Sequence, residues 1–319
     1  MNILIFGAGV IGATYGWQLA QAGHAVTLLV RKGKKAAIDA AGIDIHCKDE
    51  RVKGTHSIDF VFRPAVVEEL AAESRFDLIL VCVKSNQLEA VLPSLAERAG
   101  SADILFFQNN WWGDEKIKAF LPASQYLFGF SRLVGGWRAG DKVECLIFDA
   151  PGMGTMLGER DGRLTPRLKK IEGMMREAGL KPELSPDILS WLKFHYVEYL
   201  SATGAILQAG STKKFADDAS LVKDAIVATR EGLAVCRARG VNFKAAPGNL
   251  KMFGLPLFLL VPLAQYQYRM PNIQQFFDEN VAHGVEEIAQ QYRDVIGEGK
   301  RLGVPMPCLS KYDTAYRRR

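Results

Sequence analysis

The first residues that could do chemistry form a glycine-rich turn directly after an apolar strand at residues 1–6. The turn consists of Gly7, Ala8, Gly9, Val10, Ile11 and Gly12. Gly7 permits a tight turn, Gly9 lets the backbone approach a pyrophosphate, and Gly12 lets the next helix lie close to the strand. Free N–H groups and the helix dipole favour an anion there. With a second strand at 25–30, the pattern predicts a dinucleotide site; the alternative is a glycine turn without a ligand.

The residue after the second strand distinguishes two dinucleotides. NAD enzymes usually place Asp or Glu there to bind the ribose 2′-hydroxyl. This chain has Arg31 instead, followed by Lys32, Lys34 and Lys35. A guanidinium can bind a 2′-phosphate through two hydrogen bonds, whereas a carboxylate would repel it. The pattern therefore favours NADP over NAD; the alternative is a solvated basic loop.

Length and composition indicate a globular chain of two domains. The chain has 319 residues, of which 48% are hydrophobic and 24% charged. The net charge of +5 suits anionic small molecules and requires no nucleic acid. Five scattered cysteines without a C-x-x-C pair predict reduced thiols in a cytoplasmic protein, with neither a disulfide framework nor a metal site. The first strand leaves no room for a signal peptide, and the apolar run 255–264 is too short to span a bilayer.

Strands and helices alternate in the first half of the chain. The apolar stretches 76–83 and 104–107 are typical of a parallel sheet covered on both faces. Glycine-separated β-rich runs at 126–158 predict antiparallel strands that extend this sheet. Further helices are predicted at about 87–98, 164–179, 187–209, 218–240 and 278–302.

These elements predict an α/β fold in two domains. Residues 1–184 would form a Rossmann-like, doubly wound NADP-binding domain, and residues 185–319 an all-helical domain for substrate binding and dimerisation. The apolar run 255–264 would pack in a core or in the interface of a homodimer built by the C-terminal helices.

Several polar residues occupy positions suited to a site. Lys84 and Asn109 follow apolar strands, and ligands of open α/β sheets gather at the carboxyl ends of strands. Lys193 lies near the start of an otherwise apolar and aromatic helix, where Val197 and Ser201 share its face. Such a lysine could be a general acid; the alternative is an exposed lysine on an amphipathic helix.

Three pairs of residues each have two interpretations. The pairs are Glu286 with Glu287, His195 with Glu198, and Trp111 with Trp112. Adjacent helical glutamates point about 100° apart, so at most one faces a cleft, and either could lie on a solvated face. The histidine and glutamate could be a catalytic pair or a surface or interdomain contact. The tryptophans could form the wall of a pocket or seal the core.

The chain resembles the ketopantoate reductases (2-dehydropantoate 2-reductases) over nearly its whole length. The motifs that carry this resemblance are the glycine turn, Arg31, Val83-Lys84-Ser85-Asn86-Gln87, Gln108-Asn109, the Lys193 helix, and the segment from Glu287 to Pro305. The resemblance implies a Rossmann domain and a helical domain with the active site between them. It also implies reduction of ketopantoate to pantoate by NADPH, on the route to pantothenate and coenzyme A.

The resemblance implies a role for each matching residue. Arg31 and Lys84 would flank the adenosine 2′-phosphate, and Asn109 would lie by the nicotinamide and the substrate. Lys193 would be the general acid, and Glu287 would hydrogen-bond the substrate or the lysine. The implied substrate-binding residues are Asn109, Lys193, Ser201, Asn272, Gln275 and Glu287.

The chain departs from the family pattern mainly among the substrate residues. Asn110 replaces a glycine, Val197 and Ser201 stand where asparagines are common, and Gln275 replaces a serine. Asn272 matches the family asparagine before that serine. Lost hydrogen-bonding groups discriminate strongly between substrates. The alternatives are therefore a reductase of another 2-oxo acid with a less polar pocket, or a non-catalytic NADP-binding sensor.

Overall fold

The computed structural model describes residues 1–54, 56–71, 75–245 and 248–317, which divide into two units. Unit 1 is Met1–Ile188 and unit 2 is Leu189–Arg319. All strands among the described residues lie in unit 1, whereas unit 2 is helical. The predicted α/β fold with a helical C-terminal region is confirmed.

The strands of unit 1 form two sheets. They are β1 (Asn2–Phe6), β2 (Ala25–Leu29), β3 (Ile43–Asp49), β4 (His56–Phe62), β5 (Ala65–Val67), β6 (Leu78–Val81), β7 (Asp103–Phe106), β8 (Tyr126–Ser131), β9 (Val134–Ala139), β10 (Lys142–Ile147), β11 (Thr155–Gly158) and β12 (Pro182–Leu184). The large sheet has the order β12-β11-β8-β7-β6-β1-β2-β5. All neighbours from β5 to β8 run parallel, and this part has the strand order of a Rossmann fold.

The small sheet corrects one prediction. Its order is β4-β3-β10-β9, so β9 and β10 do not extend the large sheet. Instead, they form an antiparallel pair, and β10 lies parallel to β3. The β-rich pattern of residues 126–158 predicts strands but not their partners, because pairing depends on contacts between distant segments.

The helices span both units. They are α1 (Val10–Gln21), α2 (Lys35–Ala41), α3 (Leu88–Arg98), α4 (Pro166–Glu177), α5 (Ile188–Ala209), α6 (Thr212–Asp217), α7 (Ala219–Ala238), α8 (Gly248–Lys251), α9 (Leu257–Tyr268), α10 (Pro271–Arg301) and α11 (Asp313–Arg317). Helix α10 begins seven residues earlier than predicted, with Pro271 in its first turn, where a missing N–H costs nothing. None of the helices in the described ranges combines the length and apolar content needed to cross a membrane.

Helix α1 packs between the two sheets. A Cβ atom on Gly12 would lie 2.0 Å from the Gly7 carbonyl oxygen, and one on Gly16 would meet Phe62, Leu28 and Ile5. On the other side, β9 and β10 contact the helix. Residues 12–19 are accordingly all buried, as expected for a helix covered on every face.

Helix α9 packs against α6 and α7 but leaves several of its apolar side chains exposed. Its apolar side chains Phe258 and Tyr266 are 75% and 67% exposed, and Leu259 and Leu263 are about half exposed. Only Leu260 is buried in this helix. Contiguous exposed apolar surface is uncommon on monomers and tends to mark interfaces. The predicted homodimer is therefore kept as a proposal, with α9 as its contact surface.

The Gly12 contact predicts a matched pair of variants. Gly12→Ala should lower the free energy of unfolding of unit 1 by about 1–3 kcal/mol, because the methyl group overlaps a backbone oxygen. Gly9→Ala should cost less than about 1 kcal/mol, because Gly9 has φ −72° and its Cβ would meet no atom within 4 Å. Urea unfolding measures both. Equal unfolding curves would show that α1 moves away from β1 without cost.

The exposure of α9 predicts a change of assembly. Phe258→Glu should convert a dimer of the 35.2 kDa chain to monomers, with little change in Tm because the side chain is exposed. Leu164→Glu is the control, since Leu164 is 64% exposed in unit 1. Light scattering after size exclusion, at micromolar concentration, gives the mass. A monomeric mass for the unmodified protein would contradict the dimer.

Candidate functional site

Four predicted cofactor-binding segments of unit 1 lie at one edge of the large sheet. The glycine turn follows β1, Arg31 follows β2, Lys84 follows β6, and Asn109 follows β7. Because these strands are parallel neighbours, their carboxyl ends meet at the same edge. This edge is the usual ligand-binding position in open α/β sheets.

The glycine turn has the geometry of an anion site. Gly7 adopts φ +108°, which disfavours other residues, and its N–H donates to the Leu29 carbonyl oxygen at 3.2 Å. Gly9 caps α1 without a side-chain hydrogen bond, and the first turn of the helix holds no acidic residue. The space around Gly9 is open. The residues therefore fit a pyrophosphate at this helix N-terminus, where N–H groups and the dipole attract negative charge.

The basic loop after β2 is held by a carboxylate that the sequence pattern did not indicate. Glu68, directly after β5, accepts a hydrogen bond from the Lys35 backbone N–H at 3.0 Å. Backbone N–H groups of Lys35, Gly33 and Lys34 hold the pKa of this carboxyl below its usual value. Arg31 is exposed beside this turn, and its carbonyl oxygen accepts from Lys34 N–H at 3.1 Å.

Lys84 and Asn109 differ in exposure. Lys84 is exposed, and its backbone N–H donates to the side-chain oxygen of Gln87 at 3.3 Å. Asn109 is half-buried after β7, next to the buried Gln108. Both side chains therefore lie where the prediction requires them, at strand ends, and their contacts with a cofactor stay a prediction.

The loop after Asn109 explains one departure from the family pattern. The Asn110 side chain accepts a hydrogen bond from Gly113 N–H at 2.7 Å and donates to its carbonyl oxygen at 2.8 Å, which closes the loop. Trp111 is 1% exposed and belongs to the core, whereas Trp112 is 41% exposed. The two tryptophans therefore have different environments.

A third basic residue lies against the glycine turn, and sequence reasoning missed it. Arg138, on β9, donates from Nη2 to the Ala8 carbonyl oxygen at 2.6 Å and from Nη1 to the Asp141 carbonyl oxygen at 2.8 Å. Burial lowers the pKa of this guanidinium. The sequence indicates this position only through Gly135 and Gly136, which precede Arg138 in a β-rich run. That pattern does not indicate which element the strand contacts.

In unit 2, Lys193 is half-buried in the first turns of α5. Its Nζ donates to the Leu189 carbonyl oxygen at 3.0 Å. Burial raises the pKa of the Cys236 thiol on α7 to about 12, and the positive charge of Lys193 opposes that rise. The amine therefore lies close to the C-terminal part of α7.

The next two residues on the Lys193 face are fully buried. Val197 packs against α7, where a Cβ on Gly232 would lie 2.4 Å from its Cγ1 atom. Ser201 donates its hydroxyl to the Val197 carbonyl oxygen at 2.9 Å. A valine suits this close helix contact because an apolar side chain needs no hydrogen-bond partner there. Among the implied substrate-binding residues, Ser201 is therefore the one whose placement supports that role least.

Glu287 lies beside the part of α5 that follows Lys193. Burial is the largest cause that raises the pKa of the Tyr199 hydroxyl, and the negative charge of Glu287 raises it further. The same charge acts on the pKa of Tyr196, whose hydroxyl donates to Asp294 at 2.7 Å. Glu287 is half-buried whereas Glu286 is exposed, so the two glutamates face different surroundings.

Two further predicted substrate residues lie at the start of α10. Asn272 is half-buried and Gln275 is exposed. On α5, His195 stacks on Trp191 at 5.4 Å and on Tyr199 at 6.0 Å between ring centroids. His195 therefore belongs to an aromatic row along the helix. Glu198 is half-buried, and its charge acts on the pKa of Tyr268 on α9.

Comparison with known proteins relates this chain to one group of reductases. A family model described as "Ketopantoate reductase PanE/ApbA" matches residues 3–145. The 2-dehydropantoate 2-reductase of Pyrococcus abyssi is 26% identical over 255 residues, which cover 78% of each chain.

Solved structures share the fold. The 2-dehydropantoate 2-reductase of Geobacter metallireducens GS-15 has a TM-score of 0.75 at 20% identity and covers 100% of this chain and 99% of its own. D-mandelate dehydrogenase in a ternary structure with NADH and anilino(oxo)acetate has a TM-score of 0.77 at 16% identity, covering 100% and 97%. The resemblance predicted from the sequence is confirmed: residues 3–145 match the family model described as "Ketopantoate reductase PanE/ApbA", and the relatives above are similar to this chain beyond that range.

Proposed function

We propose that this chain is an NADPH-dependent oxidoreductase that reduces 2-dehydropantoate to pantoate, a step towards pantothenate and coenzyme A. The observation that carries the proposal is the similarity to a 2-dehydropantoate 2-reductase over 78% of both chains. The similarity spans 255 residues, which is more than the 188 residues of unit 1. It therefore extends into the helical unit. The cytoplasmic location stays a prediction from the cysteine pattern.

The residues of unit 1 fit a nicotinamide dinucleotide. The open space at Gly9 and the uncapped end of α1 suit the pyrophosphate, and Arg31 suits a 2′-phosphate at the end of β2. Glu68 adds one negative charge beside this loop, and Lys32, Lys34 and Lys35 add three positive charges that outweigh it. The excess of positive charge favours NADPH over NADH. When bound, this cofactor supplies a hydride to the carbonyl carbon of the substrate.

Lys193 is the proposed proton donor. Its ammonium group would hydrogen-bond the 2-carbonyl oxygen of the substrate, which polarises the carbonyl, and would protonate the oxygen as negative charge develops. General acid catalysis of this kind contributes about 10²–10⁴ to a rate. Glu287 would hold the substrate or the lysine through hydrogen bonds, and Asn109 would orient the carbonyl group.

The substrate has one alternative, another 2-oxo acid bound in a less polar pocket. Val197 stands where the family commonly has an asparagine, but its side chain is fully buried in the α5–α7 contact. This change therefore does not favour the alternative, and ketopantoate stays the proposed substrate. Ser201, Asn272 and Gln275 stay predictions as substrate-binding residues for either substrate.

A panel assay distinguishes these functions. NADPH oxidation by the purified protein is followed with ketopantoate and with branched and aromatic 2-oxo acids. Turnover on ketopantoate supports the proposed function, and turnover only on other 2-oxo acids supports the alternative. Binding of NADPH without turnover on any of them would indicate a sensor.

Cofactor preference is tested at Arg31. Arg31→Glu should weaken NADPH binding by about 10- to 100-fold and NADH binding far less, because it places a carboxylate beside the 2′-phosphate. Calorimetric titration gives both dissociation constants. Lys118→Glu is the control, since it reverses an exposed charge elsewhere in unit 1. Equal affinity of the unmodified protein for both cofactors would contradict the assignment of NADP.

The mechanism is tested at Lys193. Lys193→Ala should lower kcat by about 10²-fold or more while NADPH affinity changes little, because the cofactor residues lie in unit 1. Lys193→Arg should not restore the rate, since a guanidinium rarely releases its proton. In the unmodified protein, kcat/KM for reduction should fall at alkaline pH as the donor deprotonates. Near-normal turnover in the Ala variant would contradict the role of Lys193 and make His195 the next candidate.

A further inference from the structure

Arg138, like Arg230, is a partly buried arginine that donates to backbone carbonyl oxygens and has no ion-pair partner among the described residues. Arg51 pairs with Asp49 at 2.6 Å, Arg167 with Glu159 at 2.5 Å, and Arg239 with Glu298 at 3.5 Å. Arg138 instead donates to two backbone carbonyl oxygens. A charge removed from water is costly unless an opposite charge compensates it. The negative charge of Asp141 opposes the fall in the pKa of Arg138, and an anion at the glycine turn would compensate the guanidinium further.

The fold directs Arg138 to the glycine turn. A Cβ atom on Gly136 would lie 3.0 Å from the Cγ1 atom of Val10, the first residue of α1. Residues two apart on a strand point to the same side, so Arg138 leaves β9 on the face that meets the start of this helix. Gly136 adopts φ +150°, which a side chain disfavours, and this conformation allows the close approach.

Three features thus leave positive potential at one place. They are the uncapped N-terminus of α1, the absence of an acid from its first turn, and the unpaired guanidinium 2.6 Å from the Ala8 carbonyl oxygen. We propose that Arg138 is a ligand of the pyrophosphate of the dinucleotide, an inference that rests on the proposed function. A guanidinium has five N–H donors in a planar fork and binds phosphate oxygens bidentately. Within the described residues, hydrogen bonds to carbonyl oxygens use two of these five.

The proposed ligand differs from that of Arg31. The 2′-phosphate occurs only in NADP, whereas the pyrophosphate occurs in both dinucleotides. Loss of Arg138 should therefore weaken NADPH and NADH binding equally, and loss of Arg31 should change the ratio of the two. Fragments of the cofactor separate the sites further, because ADP carries a 5′-diphosphate and 2′-AMP carries only the 2′-phosphate.

The test is a binding matrix on the full chain. Dissociation constants for NADPH, NADH, ADP and 2′-AMP are measured by calorimetry with Arg138→Gln, Arg31→Gln and Lys142→Gln. We expect Arg138→Gln to weaken NADPH, NADH and ADP by about tenfold each and to leave 2′-AMP unchanged. Arg31→Gln should weaken 2′-AMP and leave ADP unchanged. Lys142→Gln is the matched control, since it removes a positive charge from β10, the neighbouring strand, and should change none of them.

A purely structural role for Arg138 makes a different forecast. In that case Arg138→Gln lowers Tm without nucleotide and weakens 2′-AMP as much as ADP, because the whole cofactor site is disturbed. Unchanged ADP affinity in Arg138→Gln, or that structural outcome, would overturn the proposal. A higher KM for the 2-oxo acid with unchanged ADP affinity would also overturn it, by assigning the guanidinium to the substrate. Failure of the unmodified protein to bind any of the four nucleotides would instead contradict the proposed function.

Discussion

The contact between Gly12 and the Gly7 carbonyl oxygen sets the position of helix α1, and most of unit 1 depends on that position. Any side chain at Gly12 would overlap this oxygen, so the helix can lie this close to β1 only with glycine there. The close approach places the helix N-terminus over the strand ends. It also leaves the opposite face of the helix to the small sheet, which covers it through β9 and β10. One backbone contact therefore sets the position of α1 between the two sheets and of the helix end proposed to bind the pyrophosphate.

The chemistry divides between the units in the same way as the secondary structure. In unit 1, main-chain groups and basic side chains at parallel strand ends favour a phosphate-bearing ligand. In unit 2, an amine and a carboxylate lie along α5 and α10 among buried aromatic residues. Backbone N–H groups recognise phosphates on many folds, whereas the choice of substrate depends on side chains. A sequence therefore predicts the phosphate site of unit 1 more readily than the substrate of unit 2.

The sequence predicts the local features of this fold well and the pairing of distant segments less well. The apolar strands, the glycine turn and the α5 helix follow from patterns of 4 to 22 neighbouring residues, so they are predictable. The partner of the β9–β10 pair is not, because β10 pairs with residues of β3 that lie 98 positions earlier in the chain. Arg138 was missed for the same reason, since its contact with Ala8 spans 130 residues. Glu68 follows a three-residue strand that carries too little pattern to be recognised.

The small sheet has a consequence for the order of folding. Its strands come from two excursions of the chain, β3–β4 between β2 and β5, and β9–β10 between β8 and β11. Each excursion can form a local hairpin early, but joining them requires closure of a long loop, and such non-local pairings form slowly. We therefore expect a refolding chain to pair β1 with β2, which are close in sequence, before β10 reaches β3. Until that step, α1 would have one face open to water and Arg138 would be absent from the glycine turn, so full affinity for a nucleotide should be reached only after the β3–β10 pairing forms.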